Sequence, residues 1–249
     1  MSWQLLVLAL AGFLAGAQNA VAGGGSFLTF PALLFAGLDP RAANITSTIA
    51  LFPGQATTGW TGRHMAGGAA GLSLRTLFTV SVIGGAIGAI LLLATPVSVF
   101  THLVPWLIAF ATIVFIWGSF FRKPRSEDEA PPISPRMGVV MQFIIAIYGG
   151  YFGGGIGILM MAALTAVGLA VRHAGATKNV LAGVVNVAAV VIFLVESKQN
   201  WLLVGVLAVT AIIGGQVGVL ILRHVPEKVL RVVVSLIGIA LTIGMFLKA

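Results

Sequence analysis

Residues 12–31 read GFLAGAQNAVAGGGSFLTFP, and residues 148–157 read YGGYFGGGIG. Each stretch sets three consecutive glycines, Gly23, Gly24 and Gly25 or Gly153, Gly154 and Gly155, in sequence too apolar for a surface loop. A glycine costs a helix about 1 kcal/mol relative to alanine, so three in a row unwind it. Unwound backbone at membrane depth is tolerated only where protein covers it or where it lines a cavity. Two such breaks at matching places in two halves mark a binding site near the bilayer midplane, the pattern of a transporter.

The chain around these breaks is membrane sequence. Hydrophobic residues make up 59% of the 249 and charged residues 8%, whereas a soluble domain carries about 25% charged residues. Mean hydropathy is +1.08. Several runs reach the roughly 20 apolar residues that span a bilayer. No series of alternating strands suggests a β-barrel. The formal net charge of +8 is carried by loops between apolar runs. The preference of cytoplasmic loops for Lys and Arg accounts for it, and no nucleic-acid partner is expected. Cysteine is absent, which removes disulfides, thiol chemistry and thiolate metal sites. The start, Met1-Ser2-Trp3-Gln4, has no basic segment and no small-residue cleavage junction, so no cleaved signal peptide is expected.

Taken in order, apolar runs cover 3–22, 27–38, 44–61, 76–94 and 99–121, then 137–152, 156–170, 177–195, 201–222 and 229–247. The runs 27–38 and 156–170 are too short to cross alone. Pro31 is expected in the first turn of its run, where proline is tolerated. The segment 122–136 holds Lys123, Glu127, Asp128, Glu129 and four prolines and reads as an exposed linker. The expected division is therefore a first transmembrane repeat over 1–121, a cytoplasmic linker over 122–136 and a second repeat over 137–249.

Spacing supports the duplication. Gly23–Gly25 matches Gly153–Gly155, Gly84, Gly85 and Gly88 match Gly214, Gly215 and Gly218, and Pro96 matches Pro226, all 130 residues apart. One inserted residue then pairs Arg41 with Arg172, Thr46 with Thr177, Thr48 with Asn179 and Gln55 with Asn186. Loop charge sets the orientation. If each broken pair is a hairpin that returns to its starting side, eleven of the fourteen Lys and Arg fall on one side and three on the other. If each is one continuous crossing, the split is eight to six. The first arrangement predicts an all-α polytopic bundle of two inverted repeats, each a glycine-broken half-helix hairpin plus three spans. It places the multi-pass protein in the inner (plasma) membrane with both termini outside the cytoplasm.

Such hairpins aim helix N-termini, with free amides and positive dipole ends, at the midplane from opposite sides. That is an anion site, and glycine lets a ligand approach the backbone. Ser26 is placed to cap the first arm. Gly84, Gly88, Gly214 and Gly218 read instead as packing contacts. Of the intramembrane hydrogen-bonding residues (Gln18, Asn19, Thr46, Thr48, Gln55, Thr57, Thr58, Asn179, Asn186 and Gln216), the repeat-matched ones are the better site candidates. The candidate substrate-binding set is Gly23, Gly24, Gly25, Ser26, Thr46, Thr48, Gln55, Gly153, Gly154, Gly155, Asn179 and Asn186. All six acidic residues lie in loops or at span ends. This argues against a carboxylate-based cation pump and for an anionic or neutral substrate. Arg172 and Lys178 are expected at the cytoplasmic mouth, as anion attractors or ordinary surface anchors. His64, His102, His173 and His224 have no ligand spacing. No metal, cofactor or catalytic grouping emerges, so no enzyme is expected. The expected partners are a small anion, the lipid bilayer and further copies of the chain in a homo-oligomer.

The stretches GFLAGAQNAVAGGGSFLTFPALL, AANITSTIALFPG, YGGYFGGGIGILMMAAL and ATKNVLAGVVNVAAVVIFL resemble the TauE/SafE family of sulfite exporters and related membrane permeases. The likeness covers nearly the whole chain. It implies export of a small sulfur-containing or organic anion, such as sulfite or a sulfonate, by alternating access. The other readings are an anion channel and a non-transporting membrane subunit of a sulfur-metabolism system.

Overall fold

The computed structural model describes residues 2–21, 23–121, 133–222 and 227–247. Most of the expected linker, at 122–132, lies outside that set, as do Arg223, Pro226 and Lys248. The side chains of Arg172, Lys228 and Arg231 and the surroundings of Gly218 lie outside it too.

Ten α-helices are described: α1 (Ser2–Val21), α2 (Ser26–Phe35), α3 (Pro40–Gly62), α4 (Leu74–Ala94), α5 (Val97–Ile116), α6 (Pro135–Tyr151), α7 (Ile156–Ala166), α8 (Val171–Glu196), α9 (Trp201–Leu222) and α10 (Glu227–Phe246). A 3-10 turn, Arg63–Met65, extends α3, and a π-helical turn, Trp117–Phe121, extends α5. There is no strand among the described residues, only an isolated bridge between Ala69 and Leu72. The 10 residues of α2 and the 11 of α7 reach only about 15 Å at 1.5 Å per residue, half the hydrocarbon core. Helices α4, α5 and His173–Glu196 of α8 are long and apolar enough to cross a bilayer.

Local chemistry sets the helix ends. The Asp39 carboxylate accepts from the amides of Arg41 and Ala42, both at 3.0 Å, with Pro40 in the first helical position. Ser73 caps α4 and Ser134 caps α6 through the amides of Thr76 and Met137. The cap at Asp39 starts α3 four residues before the expected 44, and α8 starts at Val171 rather than 177. Pro31 stands in the second turn of α2, deeper than expected.

Small residues bring the helices together. A Cβ on Gly16 would lie 1.9 Å from the Ala211 carbonyl oxygen, and one on Gly214 1.9 Å from that of Phe13, so α1 and α9 touch backbone to backbone. On α4, a Cβ at Gly88 would lie 2.2 Å from the Ile147 carbonyl oxygen, and Gly84 is closed off by Ala146 at 2.6 Å, so α4 and α6 meet in the same way. When α1–α5 are exchanged for α6–α10, the principal packed pairs map onto one another. The pair α1 on α9 becomes α6 on α4, α4 on α8 becomes α9 on α3, and α5 on α7 becomes α10 on α2, while α3 on α8 and α5 on α10 map onto themselves. The halves are thus interlocked, each placing its first helix against the fourth helix of the other.

The outside of the bundle is apolar. Leu6, Leu10 and Leu14 form an exposed stripe along α1, and Ile83, Ile90, Ile113, Ile144 and Val191 are exposed on other helices. An apolar surface this extensive fits hydrocarbon rather than water. Exposed Trp3, Trp60, Trp117 and Trp201 stand at helix ends, as in the aromatic belts of membrane interfaces. Inside, hydroxyls and amides join helices: Thr29 to Ser47 at 2.6 Å and Gln142 to Ser81 at 2.7 Å.

Candidate functional site

The two glycine turns meet in the interior. Gly23, Gly24, Gly153 and Gly155 all have φ between 71° and 84°, a left-handed backbone that favours glycine. Side chains are excluded from much of the contact. A Cβ on Gly23 would lie 3.3 Å from Cα of Gly157, one on Gly24 2.9 Å from Cδ1 of Ile158, and one on Gly155 3.3 Å from the Phe27 ring. Each turn is held by its own preceding helix. Gln18 donates its side-chain amide to the Gly23 carbonyl at 3.2 Å and accepts the Gly23 amide on its own carbonyl at 3.0 Å. Asn19 Oδ1 accepts the Gly25 amide at 2.7 Å. In the second turn, the Tyr148 hydroxyl donates to the Gly154 carbonyl at 2.9 Å.

These contacts line a partly open cavity of about 30 Å³, room for one or two water molecules as it stands. Of the candidate residues, Gly23, Gly24, Ser26, Gln55, Gly153 and Asn179 line it. Asn19, Thr58, Gly157 and Lys178 complete its polar wall. The backbone amides of Gly24, Ser26 and Gly157 have no protein acceptor among the described residues. Those of Ser26 and Gly157 are the unfilled donors that helix starts leave behind, and that of Gly24 belongs to the turn before α2.

Several candidates are engaged in contacts of their own. Ser26 is the first residue of α2, not its cap; that position is Gly25, which makes no side-chain cap. The Gly25 amide is already taken by Asn19. The Thr48 hydroxyl donates to the Asn44 carbonyl at 2.9 Å, and its Oγ1 lies 3.4 Å from where a Gly153 Cβ would stand. Asn186 donates its side-chain amide to Gln55 Oε1, joining two repeat-matched residues across α3 and α8. The matched residue of Thr46, Thr177, holds the loop before α4 by hydrogen bonds to the Gly67 amide and carbonyl. Thr46 itself lines a separate vestibule of about 550 Å³ with Asp39, Arg41, Glu196 and Lys198. Thr46 and Gln55 are nine residues apart on α3, about 13 Å along the helix. Between the two spaces α3 buries Ser47 to Leu51, and α8 buries Val190 and Phe193.

Lys178 departs most from expectation. It stands within the cavity wall, 4% exposed, rather than at the cytoplasmic mouth. Its Nζ lies 3.6 Å from the position a Gly23 Cβ would take and 3.8 Å from that of Gly157, between the two turns. No carboxylate or other acceptor pairs with it among the described residues. The early start of α8 explains the placement: Lys178 falls in the second turn, on the face of buried Ala174, Leu181, Ala182 and Val185. That periodicity is visible in the sequence and was the signal available for finding it. No group of three or more His, Asp or Glu stands together among the described residues.

The profile of the Sulfite exporter TauE/SafE family matches residues 8–245. The chain belongs to the TauE/SafE family. It is similar to a probable membrane transporter protein of Haemophilus influenzae, 27% identical over 97% of this chain and 94% of that protein. It is also similar to the probable membrane transporter protein ORF9 of a Sinorhizobium species, 28% identical over 96% and 91% of the two chains. A third relative, the probable membrane transporter protein YfcA of Escherichia coli K12, is 24% identical over 93% and 86%. The alignments run nearly end to end, so this TauE/SafE protein shares the whole apolar bundle with relatives named as transporters. It is a multi-pass membrane protein of the transporter type.

Proposed function

We propose that this TauE/SafE protein exports a small sulfur-containing or organic anion, such as sulfite or a sulfonate, across the inner membrane by alternating access. The observation that carries the reading is Lys178, a buried cation facing a cavity walled by both glycine turns. A charge taken out of water is costly unless paired. A small anion supplies the pairing, and the amides of Gly24, Ser26 and Gly157 with the side chains of Asn19, Gln55 and Asn179 replace its lost hydration. The exchange relation among the helix contacts supports two structural repeats, and loop charge supports their inversion and the outside termini. With Lys178 moved from the loops to the site, ten basic residues remain on the cytoplasmic side against three.

A carrier fits better than a channel. A buried layer of α3 and α8 separates the cavity from the vestibule beside Arg41 and Lys198. Uptake of radiolabelled sulfite and a panel of sulfonates into proteoliposomes tests the proposal. Saturable uptake that falls at least about tenfold in Lys178→Gln, the loss of one charged pairing, is the expected result. Flux that rises linearly with concentration, or is unchanged in the variant, overturns it.

A further inference from the structure

Lys178 has no protein counter-ion, and the consequence reaches beyond binding. The elements packed on α8 are α3, α4, α6, α7 and the 63–65 turn. Their charged or titratable groups are Arg41, Arg63, His64, Arg75, Arg136, Tyr148 and Tyr151, and α7 has none. On α8 itself stand Arg172, His173 and Glu196, and α1 and α2, which supply the glycine turn opposite, carry no charged side chain. The carboxylates nearest along these elements are therefore Glu196 and Asp39, the latter capping the start of α3, and both line the far vestibule. Glu196 is eighteen residues from Lys178 on the same helix, about 27 Å. Among the described residues no carboxylate reaches the ammonium, so it becomes neutral only by pairing with a solute or by giving up its proton.

We propose that Lys178 makes transport an obligatory anion exchange, in which the site changes its access only when an anion is paired with this residue. The inference rests on the anion-transport reading above. Alternating access requires an intermediate with the site shut from both sides. Loaded with a monoanion, that intermediate holds a neutral pair. Empty and shut, it holds a cation beside Gly23 and Gly157 that no protein group among the described residues pairs, unless its proton has left with an anion. Desolvating an unpaired charge raises that intermediate far above the loaded one. An arriving anion therefore drives the departure of another, and efflux of substrate needs a small anion returning from the opposite side.

The test uses the full-length wild-type protein in chloride-free proteoliposomes and radiolabelled sulfite outside. One set of vesicles contains unlabelled sulfite. The other contains gluconate, a polyhydroxylated anion much bulkier than sulfite. Uptake into sulfite-filled vesicles should exceed uptake into gluconate-filled ones by about tenfold or more. In Lys178→Gln, where the empty site is neutral, that ratio should fall towards one while both rates drop. Should the variant fail to fold, the wild-type ratio decides alone. Equal wild-type uptake into both vesicle sets overturns the exchange, as does uptake into gluconate vesicles that carries a proton with each anion. Absence of sulfite and sulfonate uptake in every vesicle set instead rejects the transport reading itself.

Discussion

Lys178 Nζ stands between the two glycine turns, 3.6 Å from a Gly23 Cβ position and 3.8 Å from that of Gly157. Gly23, Gly24 and Gly153 declared themselves by composition, because three glycines inside apolar sequence have few structural uses. Lys178 did not, because a basic residue close to a span end looks like an anchor. Only its helical face, shared with Leu181, Ala182 and Val185, separates it from the surface lysines. The matched pair Gln55 and Asn186 was legible as a pair, but its mutual hydrogen bond depends on where α3 crosses α8. Gly24 carries the sharpest prediction at this scale. With φ at 83° and Ile158 Cδ1 2.9 Å from any Cβ, valine must distort the turn. Gly24→Val should abolish anion uptake while membrane insertion persists, read by flux and by the amount in the membrane fraction. Full flux in both Gly24→Val and Gly154→Val would remove the turns from the transport site.

At the level of helices, the expected runs correspond one for one to the ten described, because apolar length alone marks a span. What composition concealed was where polar first turns belong. Asp39 and Pro40 fall between the expected runs 27–38 and 44–61, yet a capping carboxylate followed by proline is how a helix begins, and here it begins α3. The same blindness hid the first six residues of α8, and with them the depth of Lys178. Helix contacts also sort the glycines by role. Gly16 has the Ala211 carbonyl oxygen 1.9 Å from a Cβ position, whereas Gly54 has nothing within 4 Å. Gly16→Ala should therefore destabilise the fold by about 1–3 kcal/mol through forced separation of α1 and α9. Gly54→Ala should stabilise it by up to about 1 kcal/mol through helix propensity. Thermal unfolding in detergent reads both. Equal shifts of the same sign would contradict the packing described.

For the molecule as a whole, interlocking is the governing feature. Since α1 lies on α9 and α4 on α6, the halves cannot rock as two separate bodies without breaking their closest backbone contacts. The short α2 and α7, with the glycine turns that precede them, are the parts that face the cavity. Orientation is open to direct measurement because the chain has no native cysteine. Single-cysteine variants Lys198→Cys and Arg75→Cys should react with an impermeant maleimide from opposite faces of the membrane, position 198 from outside. Labelling of both from one face would contradict the inverted arrangement.

Locating a bound anion tests the central claim most directly. Selenite, a heavier analogue of sulfite, can be placed by its anomalous scattering in crystals of the protein. The account predicts an anomalous peak between Gly24 and Gly157, within hydrogen-bonding distance of Lys178 Nζ. A peak confined to the vestibule of Arg41 and Lys198, with none beside Lys178 at saturating selenite, would contradict it.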